Sequence, residues 1–500
     1  MSSGSSPTAF ALAALLAAAC GSPPAARSAV RPAPSASASV STAPDAEAFR
    51  NTPPKSGAHP AVQFPTPTIK MLKNGVTLCV VPKRAAVTTL SVVIRQGAGS
   101  VPLGKSGLAA LTARLLTEAT QQHSSLALAE ASESLGSTLE SDAGRDESHV
   151  SLSTLTADVP RGLSLLAEVV FKPAFSPSDF ARVKDEWLDG LRAERQEPGR
   201  LASLVALRTL LGPTAGAPVS GSIPDVEKLK VQDLVQFHRR AYVPSNLAVI
   251  AVGDVTLAQL EPDVERLFGH ATGAPSPAPT ASVVAERPSK LRVLIVDRKD
   301  SVQSAIFAVQ AFPKRSEAGF EAREIMASLL GGLFTSRLNL NLREKHAFTY
   351  GAHGQALATR QWGAFYVSTD VKTETTADAL FELLSELDRA RDAQRGAPIQ
   401  DQEAARARTD LMHKLGARLE HTSAIADAMA TAFSQQLAAD YFTKYPQIVA
   451  EIATSAVAEQ ATHLDPQHLL VVIVGDRAQI QPSLKQHGFE IENADPKLLE

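Results

Sequence analysis

The sequence predicts an α+β protein of two homologous halves, each an antiparallel sheet packed with long helices, together forming a clamshell. One observation is a repeat, since NLAVIAVGDV (246–255) and HLLVVIVGDR (468–477) both place an apolar strand before a Gly-Asp turn. Their glycines, Gly253 and Gly475, lie 222 residues apart, which indicates two copies of one unit. The second observation is element order, because strands precede helices in each half, as in α+β folds and not in a doubly wound sheet.

The composition is that of a large globular protein. The 500 residues are 44% hydrophobic and 20% charged, with a net charge of −3. This permits several packed cores. Basic residues are not concentrated anywhere, so nucleic-acid binding is not expected.

Residues 1–20 are predicted to form a lipoprotein-type signal peptide. The apolar run FALAALLAAA (10–19) is too short to span a bilayer but fits the core of a signal peptide, and Cys20 follows it directly. Cys20 would become the acylated first residue of the mature chain and anchor it to a membrane. Gly21 after the cysteine favours the cell envelope, at the periplasmic face of the outer membrane. An ordinary cleaved signal or a misplaced start codon is the alternative.

Residues 21–66 are predicted to be a disordered tether. They are rich in Pro, Ala and Ser, as in SPPAARSAVRPAPSASASVSTAP, and carry little apolar surface to bury. Such a tether would let the globular part stand away from the membrane.

The first folded half is assigned to residues 67–271. It contains GLAALTARLL (107–116), which opens an amphipathic helix, and FARVKDEWLDGLR (180–192), which lies on a later one. Cys79, in the apolar run VTLCVV, is interpreted as a small buried strand residue.

A formal phosphate-loop pattern, GSVPLGKS, runs from Gly99 to Ser106 between a strand and a helix. It makes an NTPase a remote alternative. The flanking sequence lacks repeated βαβ units, and an exported chain has little access to ATP.

Residues 272–290, which include the Pro/Ala-rich TGAPSPAPTASVVAERP, are predicted to link the halves. The second half is assigned to residues 291–495. It contains SRLNLNLREKHAFTYGAHG (336–354), in which Arg343 and Tyr350 are seven residues apart.

Taken together, these segments resemble the insulinase/pitrilysin zinc metallopeptidases, in the short-chain subgroup that includes the mitochondrial processing peptidase. The resemblance covers about residues 67–495 and includes HRRAYVPSNLAVIAVGD (238–254) in the first half. It implies a zinc site built on G-L-A-H-x-x-E-H, with two histidines as ligands and a glutamate as general base.

In this chain the residues at those three positions are Ala110, Ala113 and Arg114. The family's third ligand is a glutamate on a later helix, and Gly190 occupies its position. A methyl group, a glycine and a guanidinium cation supply no lone pair to Zn²⁺, so we expect neither a metal nor any other cofactor on this chain.

The other half of the family's active site is retained. The resemblance implies that Arg343 and Tyr350 come from the second half, face the zinc-bearing first half, and bind substrate at the scissile carbonyl. A phenol and a guanidinium are suitable donors to a carbonyl oxygen that gains charge. Where the family usually has a glycine between the two, this chain has Ala347.

The resemblance therefore implies a catalytically silent homologue that pairs, as a heterodimer, with a zinc-bearing subunit of the same family. Together the two chains would enclose an extended peptide, with Arg343 and Tyr350 contributing to its binding and proteolysis. The alternative is a scaffold or peptide-binding subunit of an envelope complex with no peptidase role.

Overall fold

The computed structural model describes residues 62–274, 285, 287–392, 394 and 398–499. Cys20, nearly all of the predicted tether and much of the predicted linker lie outside these residues. Within the described part of the chain, no helix combines the length and the apolar character needed to cross a membrane.

The first half contains a six-stranded sheet with the strand order β1-β2-β6-β3-β5-β4. Its strands are β1 (Thr68–Met71), β2 (Thr77–Pro82), β3 (Val87–Ile94), β4 (Glu140–Ala143), β5 (Ser148–Leu155) and β6 (Leu247–Gly253). The helices of this half are α1 (Leu108–Leu116), α2 (Ser125–Glu133), α3 (Val159–Phe171), α4 (Pro177–Glu194), α5 (Pro198–Ala215), α6 (Ile223–Lys228), α7 (Val231–Ala241) and α8 (Leu257–Phe268).

The second half repeats this arrangement in a sheet with the order β12-β7-β11-β8-β10-β9. Its strands are β7 (Arg292–Asp297), β8 (Gln303–Phe312), β9 (Thr349–Ala358), β10 (Gly363–Lys372), β11 (Leu470–Gly475) and β12 (Ile491–Asn493). Its helices are α9 (Phe320–Ala327), α10 (Thr376–Arg391), α11 (Asp401–Arg418), α12 (Thr422–Ser434), α13 (Tyr441–Glu451), α14 (Thr454–Ala461), α15 (Arg477–Gln486) and α16 (Pro496–Leu499). Two π-helical turns, Ser328–Gly332 and Asn339–Lys345, follow α9.

The predicted architecture of two homologous halves is confirmed, and the sheets are mixed. Most strand pairs are antiparallel, but β2 pairs with β6 in parallel, as do β7 with β11 and β7 with β12. β6 and β11 enter the middle of their sheets only after long helical segments. Such a crossover connection allows a strand to run parallel to its neighbour, which a tight hairpin does not.

Gly253 and Gly475, the glycines of the sequence repeat, occupy equivalent positions that leave no room for a side chain. A Cβ atom on Gly253 would lie 2.2 Å from the Thr88 hydroxyl oxygen, and one on Gly475 would lie 2.6 Å from the Ser304 hydroxyl oxygen. Both hydroxyls come from the adjacent antiparallel strand and bond a threonine at the start of a helix, Thr156 or Thr376. The repeat therefore extends from sequence to side-chain packing.

Each sheet is covered on one face by helices of its own half and on the other by one helix of the opposite half. From α5, Ala202, Val205 and Ala206 pack on the second sheet. From α12, Ile425 and Met429 pack on the first sheet. Each half thus supplies one helix to the sheet of the other half, so both faces of each sheet are covered. The two halves form one compact unit of the described chain.

Buried hydrogen bonds at Asp146 join the turn between β4 and β5 to the turn between β9 and β10 of the other half. We call this group of hydrogen bonds the clasp. Its carboxylate is 4% exposed and accepts hydrogen bonds from the Arg360 backbone N–H (3.0 Å) and the Gln435 side-chain amide (2.6 Å). Nearby, the Gln361 amide donates to the Gly99 carbonyl at 3.0 Å. A buried charge with this many partners is costly to disrupt.

We predict that Asp146→Ala lowers the free energy of unfolding by about 2–3 kcal/mol, because donors from Arg360 and Gln435 lose a charged acceptor. Urea titration followed by circular dichroism measures the change. Asp146→Asn keeps one acceptor oxygen and should recover part of the loss.

The matched control is Asp440→Ala. The Asp440 carboxylate makes an exposed ion pair with Lys444 one helical turn away. Exposed pairs of this kind contribute little, so its unfolding midpoint should be nearly unchanged. Equal midpoints for the alanine variants at 146 and 440 would show that the clasp does not stabilise the fold.

Candidate functional site

The emptied metal position lies on α1, where the backbone is packed as a helix of the core. Gly107 adopts a left-handed conformation (φ 88°) just before the helix, and Ala110 and Ala113 are both buried. Arg114 points outward and pairs with Glu118, which also pairs with Arg182 of α4. The Glu118 carboxylate therefore lies between two arginines and links α1 to α4.

The position of the family's third ligand carries no donor either. Gly190 lies in the middle of α4 and a Cβ atom there would meet nothing within 4 Å. One turn earlier, the Trp187 indole N–H donates to the Ser220 carbonyl at 2.8 Å. Two alanines, an arginine and a glycine do not fit zinc, which binds imidazole, thiolate or carboxylate.

The described part of the chain contains no group of three or more His, Cys, Asp or Glu side chains that could hold a metal ion. Cys79 is buried in β2, and burial raises the pKa of its thiol to about 12, which disfavours the thiolate that a metal would need.

Arg343 and Tyr350 line one large cavity of about 1160 Å³ in the second half. The Arg343 guanidinium carbon lies 3.9 Å from the centre of the Phe334 ring, and the nearest carboxylate, on Glu344, is 3.5 Å away. Tyr350, the second residue of the edge strand β9, is 93% exposed. Its hydroxyl bonds to no other described residue. A tyrosine that served only packing would bury its ring.

The side-chain amide of Asn339 holds these two residues in a fixed relation. It is 6% exposed, donates to the carbonyls of Leu333 and Ala352 at 3.0 Å each, and accepts from the Ala352 N–H at 2.9 Å. It thereby ties the π-helical turn that carries Arg343 to the strand that carries Tyr350. A fully satisfied buried amide of this kind restricts motion.

A second buried amide anchors the same turn to α10. Asn341 donates to Glu382 at 3.0 Å and to Glu386 at 3.1 Å, and Arg389 lies within 3.4 Å of both carboxylates. The Asn341 amide and the nearby cations Lys345 and Arg389 hold the pKa of Glu382 below its usual range against the opposing effect of burial. The π-helical turn Asn339–Lys345 is therefore held by hydrogen bonds to β9 and to α10.

The turn ends in a strained conformation at Ala347. Its φ is 53°, in the left-handed region where an L-residue with a Cβ costs about 1–2 kcal/mol relative to glycine. The Ala347 N–H still donates to the Arg343 carbonyl at 3.0 Å, and the Phe348 N–H to the Leu342 carbonyl at 2.9 Å. The chain therefore keeps, with alanine, the helix end that a glycine would favour.

Polar and aromatic side chains from β8, β9 and β10 form the floor of this cavity. Phe307 and Tyr366 stack with ring centres 4.8 Å apart, and the Tyr366 hydroxyl donates to Gln355 at 2.8 Å. Burial raises the pKa of Asp370, and His353 opposes that shift. The floor can therefore contact both apolar and polar groups of a ligand.

The cavity of Arg343 and Tyr350 is not the cavity of the emptied metal position. Ala110 lines a second cavity of about 390 Å³. The two cavities share only wall residues of α5, namely Arg200, Ser203 and Leu207. The pair and the emptied metal position therefore lie at neighbouring cavities that share part of α5 as a wall.

The phosphate-loop pattern is used for packing. Lys105 pairs with Asp233, and the Ser106 hydroxyl donates to Asp225 at 2.6 Å. The lysine and serine that would contact phosphate and magnesium in a nucleotide site are thus bound to carboxylates, which repel phosphate. This removes the support for the NTPase alternative.

The sequence interpretation missed two residues of the site, Phe334 and Asn339. Phe334 is 67% exposed beside Arg343, although nothing in its local pattern marks it as a surface residue. Asn339 had a signal, since asparagine between leucines in an apolar helical run disfavours a simple helix and indicates a specific hydrogen-bonding role.

Comparison with known proteins agrees with this fold. A sequence profile described as "Insulinase (Peptidase family M16)" matches residues 79–211, and one described as "Peptidase M16 inactive domain" matches residues 228–411. Together the two ranges span more than half of the chain.

Some individual relatives are named as zinc proteases and others as non-peptidase homologues. An uncharacterized zinc protease of Streptomyces coelicolor is 24% identical over 316 residues, 62% of this chain and 68% of that protein. The non-peptidase homolog YmxG of Helicobacter pylori is 24% identical over 291 residues, 57% of this chain and 66% of that protein.

A solved structure shows the same fold. The crystal structure of a peptidase M16 inactive domain from Pseudomonas fluorescens superimposes with a TM-score of 0.73 at 22% identity, covering 82% of this chain and 98% of that one. The matched profiles, the two-halved fold and the loss of every ligand position lead to one conclusion. The chain belongs to the insulinase-like M16 peptidase family, as an inactive homologue.

Proposed function

We propose that this protein is the metal-free subunit of a two-chain peptidase and presents Arg343 and Tyr350 to the catalytic face of a zinc-bearing partner of the same family. The observation that carries the proposal is Tyr350, which is 93% exposed and lines a cavity of about 1160 Å³. Its strand is fixed by the Asn339 amide. A rigid backbone that presents an exposed phenol is arranged for contact with another molecule.

Arg343 and Tyr350 would have no zinc-dependent reaction to assist within their own chain. The first half offers Ala110 and Arg114 where a metal ligand would be. Zinc in the partner would supply the activated water. Arg343 and Tyr350 would donate hydrogen bonds to the carbonyl oxygen of the scissile bond as it gains charge.

An extended peptide fits this arrangement. β9 is the edge strand of the second sheet, so one side of its backbone is free of a neighbouring strand in the described structure. A peptide can add to such an edge through main-chain hydrogen bonds, while its side chains enter pockets on the sheet face. Tyr350 lies at the start of this edge.

The second candidate is a scaffold or peptide-binding subunit of an envelope complex without a peptidase role. The observation that favours it is the exposure of Phe334 (67%) and Leu340 (45%) next to Arg343. Aromatic and arginine side chains dominate protein interfaces, so this surface could serve docking alone.

The proposed location is the cell envelope, with the acylated Cys20 as anchor, residues 1–20 as the signal peptide and residues 21–66 as the tether. The support is the sequence pattern FALAALLAAAC. An anchored subunit on a long tether would act at the membrane surface.

The purified protein is predicted to hold no stoichiometric zinc and to cleave no peptide by itself, because Ala110, Ala113, Arg114 and Gly190 provide no ligand or base. Elemental analysis and a quenched-peptide assay test this. One tightly held zinc per chain with chelator-sensitive cleavage would overturn it. Restoring the four family residues (A110H, A113E, R114H, G190E) need not restore cleavage, since the residues that orient ligands are also required.

Tyr350→Phe and Arg343→Ala are each predicted to lower the turnover of the reconstituted pair by roughly 10²-fold, as for the loss of other oxyanion donors. Tyr350→Phe should leave stability unchanged, because only an exposed hydroxyl is removed. The assay is cleavage of a quenched peptide, with co-purification to show that the subunits remain associated.

The matched arginine control is Arg161→Ala, since Arg161 is an exposed residue of the first half paired with Asp158. It should keep full turnover. Full turnover in both Tyr350→Phe and Arg343→Ala would favour the scaffold role instead.

The anchor is tested at the N-terminus of the mature protein. We expect mass spectrometry to find a first peptide that begins with lipid-modified Cys20, and Cys20→Ser to leave the chain unprocessed or released from membranes. A mature chain that begins at another residue without lipid mass would contradict the lipoprotein assignment and leave the fold untouched.

A further inference from the structure

The strand that carries Tyr350 contains one extra residue near its start. The register of β9 against β10 shifts there, and the paired residues on either side of the shift are Ala352 with Thr369 and Thr349 with Val371. Two residues of β9, Tyr350 and Gly351, therefore lie opposite the single residue Asp370 of β10. This arrangement is a β-bulge, which redirects side chains and is common beside active sites. We call these two residues of β9 the bulge.

The bulge decides which face of the sheet receives Tyr350. In a regular strand, residues two apart point to the same face, so Tyr350 would share the face of Ala352 and Gly354, which are both buried. Instead, Tyr350 is exposed and lines the large cavity together with its neighbour Gly351. The extra residue interrupts the alternation, so the phenol reaches the cavity.

Two threonine hydroxyls hold the bulge. The Thr349 hydroxyl donates to the Gly351 carbonyl at 2.9 Å and accepts from the Gly351 N–H at 3.0 Å. The buried Thr369 hydroxyl of β10 lies 3.0 Å from both the Gly351 carbonyl and the Thr349 hydroxyl and can donate to either. A bulge disrupts the ladder of hydrogen bonds locally, and backbone groups left without partners are costly. The two hydroxyls replace the missing ladder bonds.

The bulge lies between two fixed points of the structure. On one side, the Asn339 amide bonds to both the N–H and the carbonyl of Ala352. On the other side, the ladder resumes opposite the fully buried Val371. The direction of the phenol therefore depends on the backbone of Tyr350 and Gly351, which the threonine hydroxyls hold.

We propose that Thr349 and Thr369 are positioning residues, whose hydroxyls hold the bulge in the form that turns the Tyr350 phenol into the cavity. The inference deepens the function proposed above and rests on it in one respect, that the phenol donates to a scissile carbonyl. In this role neither threonine needs to touch the substrate. A misplacement of about 1 Å is enough to cost roughly 10²-fold in rate, so the backbone that aims a donor affects turnover directly.

Fluorine NMR can observe the Tyr350 ring in the protein alone. The chain has five tyrosines, so the full chain labelled with 3-fluorotyrosine has one fluorinated ring at each of five positions. Tyr350→Phe identifies the Tyr350 resonance by its loss. The other four rings are buried or half-buried, at Tyr242, Tyr366, Tyr441 and Tyr445. The ring at 350 differs from all of them in its contact with solvent.

Thr369→Val removes the hydroxyl and keeps the branched shape of the side chain. We expect it to shift or split the Tyr350 resonance, because the bulge then adopts more than one conformation, and Thr349→Val to do the same. Thr369→Ser restores a hydroxyl and should return the resonance to its original position. An unchanged Tyr350 resonance in the valine variants would overturn the proposal. Thr349→Val, at a half-buried position, decides the matter if Thr369→Val does not fold.

The matched control lies at the other end of the same hairpin. The Thr359 hydroxyl donates to the Trp362 carbonyl at 2.9 Å and accepts from the backbone N–H groups of Gln361 and Trp362. Thr359→Val thus removes a comparable set of hydrogen bonds and should leave the Tyr350 resonance unchanged. An equal change in this control would show a general effect on the hairpin and would also overturn the proposal.

Turnover of the reconstituted pair tests whether the threonines act through the phenol. Thr369→Val is expected to lower kcat about tenfold with little change in KM, and Thr369→Ser to recover most of the loss. Added to Tyr350→Phe, Thr369→Val should cause no further loss, because its effect requires the phenol hydroxyl. Losses that multiply in the double variant would contradict the positioning role.

The two proposals fail separately. If Tyr350→Phe keeps full turnover in the pair, the catalytic-partner role fails, while the fluorine spectra of the protein alone still decide whether the threonines position the ring. If the valine variants change neither the Tyr350 resonance nor turnover while Tyr350→Phe is slow, the positioning role fails and the catalytic-partner role stands.

Discussion

Neither β-sheet of this protein can bury both faces with helices of its own half. The remaining face is covered by one helix from the opposite half, α5 on the second sheet and α12 on the first. Separating the halves would expose both apolar faces to water, at a cost that scales with their area. The halves are therefore held at a fixed distance, and α5 is fixed as the wall between the two cavities.

That wall borders both candidate positions of this chain. Arg343 and Tyr350 of the second half and Ala110 of the first line neighbouring cavities that share residues such as Arg200. Arg114, Glu118 and Arg182 form an ion-pair network beside the former ligand positions. Reintroducing ligands at the old positions would thus meet an altered electrostatic environment, since the orienting interactions of a metal site are as specific as its ligands.

Arg343 and Tyr350, by contrast, lie on a segment whose backbone is strained at Ala347. Two buried asparagine amides brace it, and Ala347 adopts a left-handed conformation that glycine would adopt without strain. Strain of this kind persists only where surrounding contacts determine the backbone. The Asn339 amide bonds to Ala352 of β9, and the Asn341 amide bonds to Glu382 and Glu386 of α10.

The sequence by itself determined the family, the two-halved fold and the lack of ligand side chains at the family's zinc positions, because these depend on residue type at fixed spacing. The repeat ending at Gly253 and Gly475, and the identities of Ala110 and Gly190, needed no coordinates. The parallel pairing of β6, the exchange of α5 and α12, and the roles of Phe334 and Asn339 depend on contacts between residues far apart in the chain. Only the tertiary structure decides these, since local pattern sets which face of an element is apolar but not which element covers it.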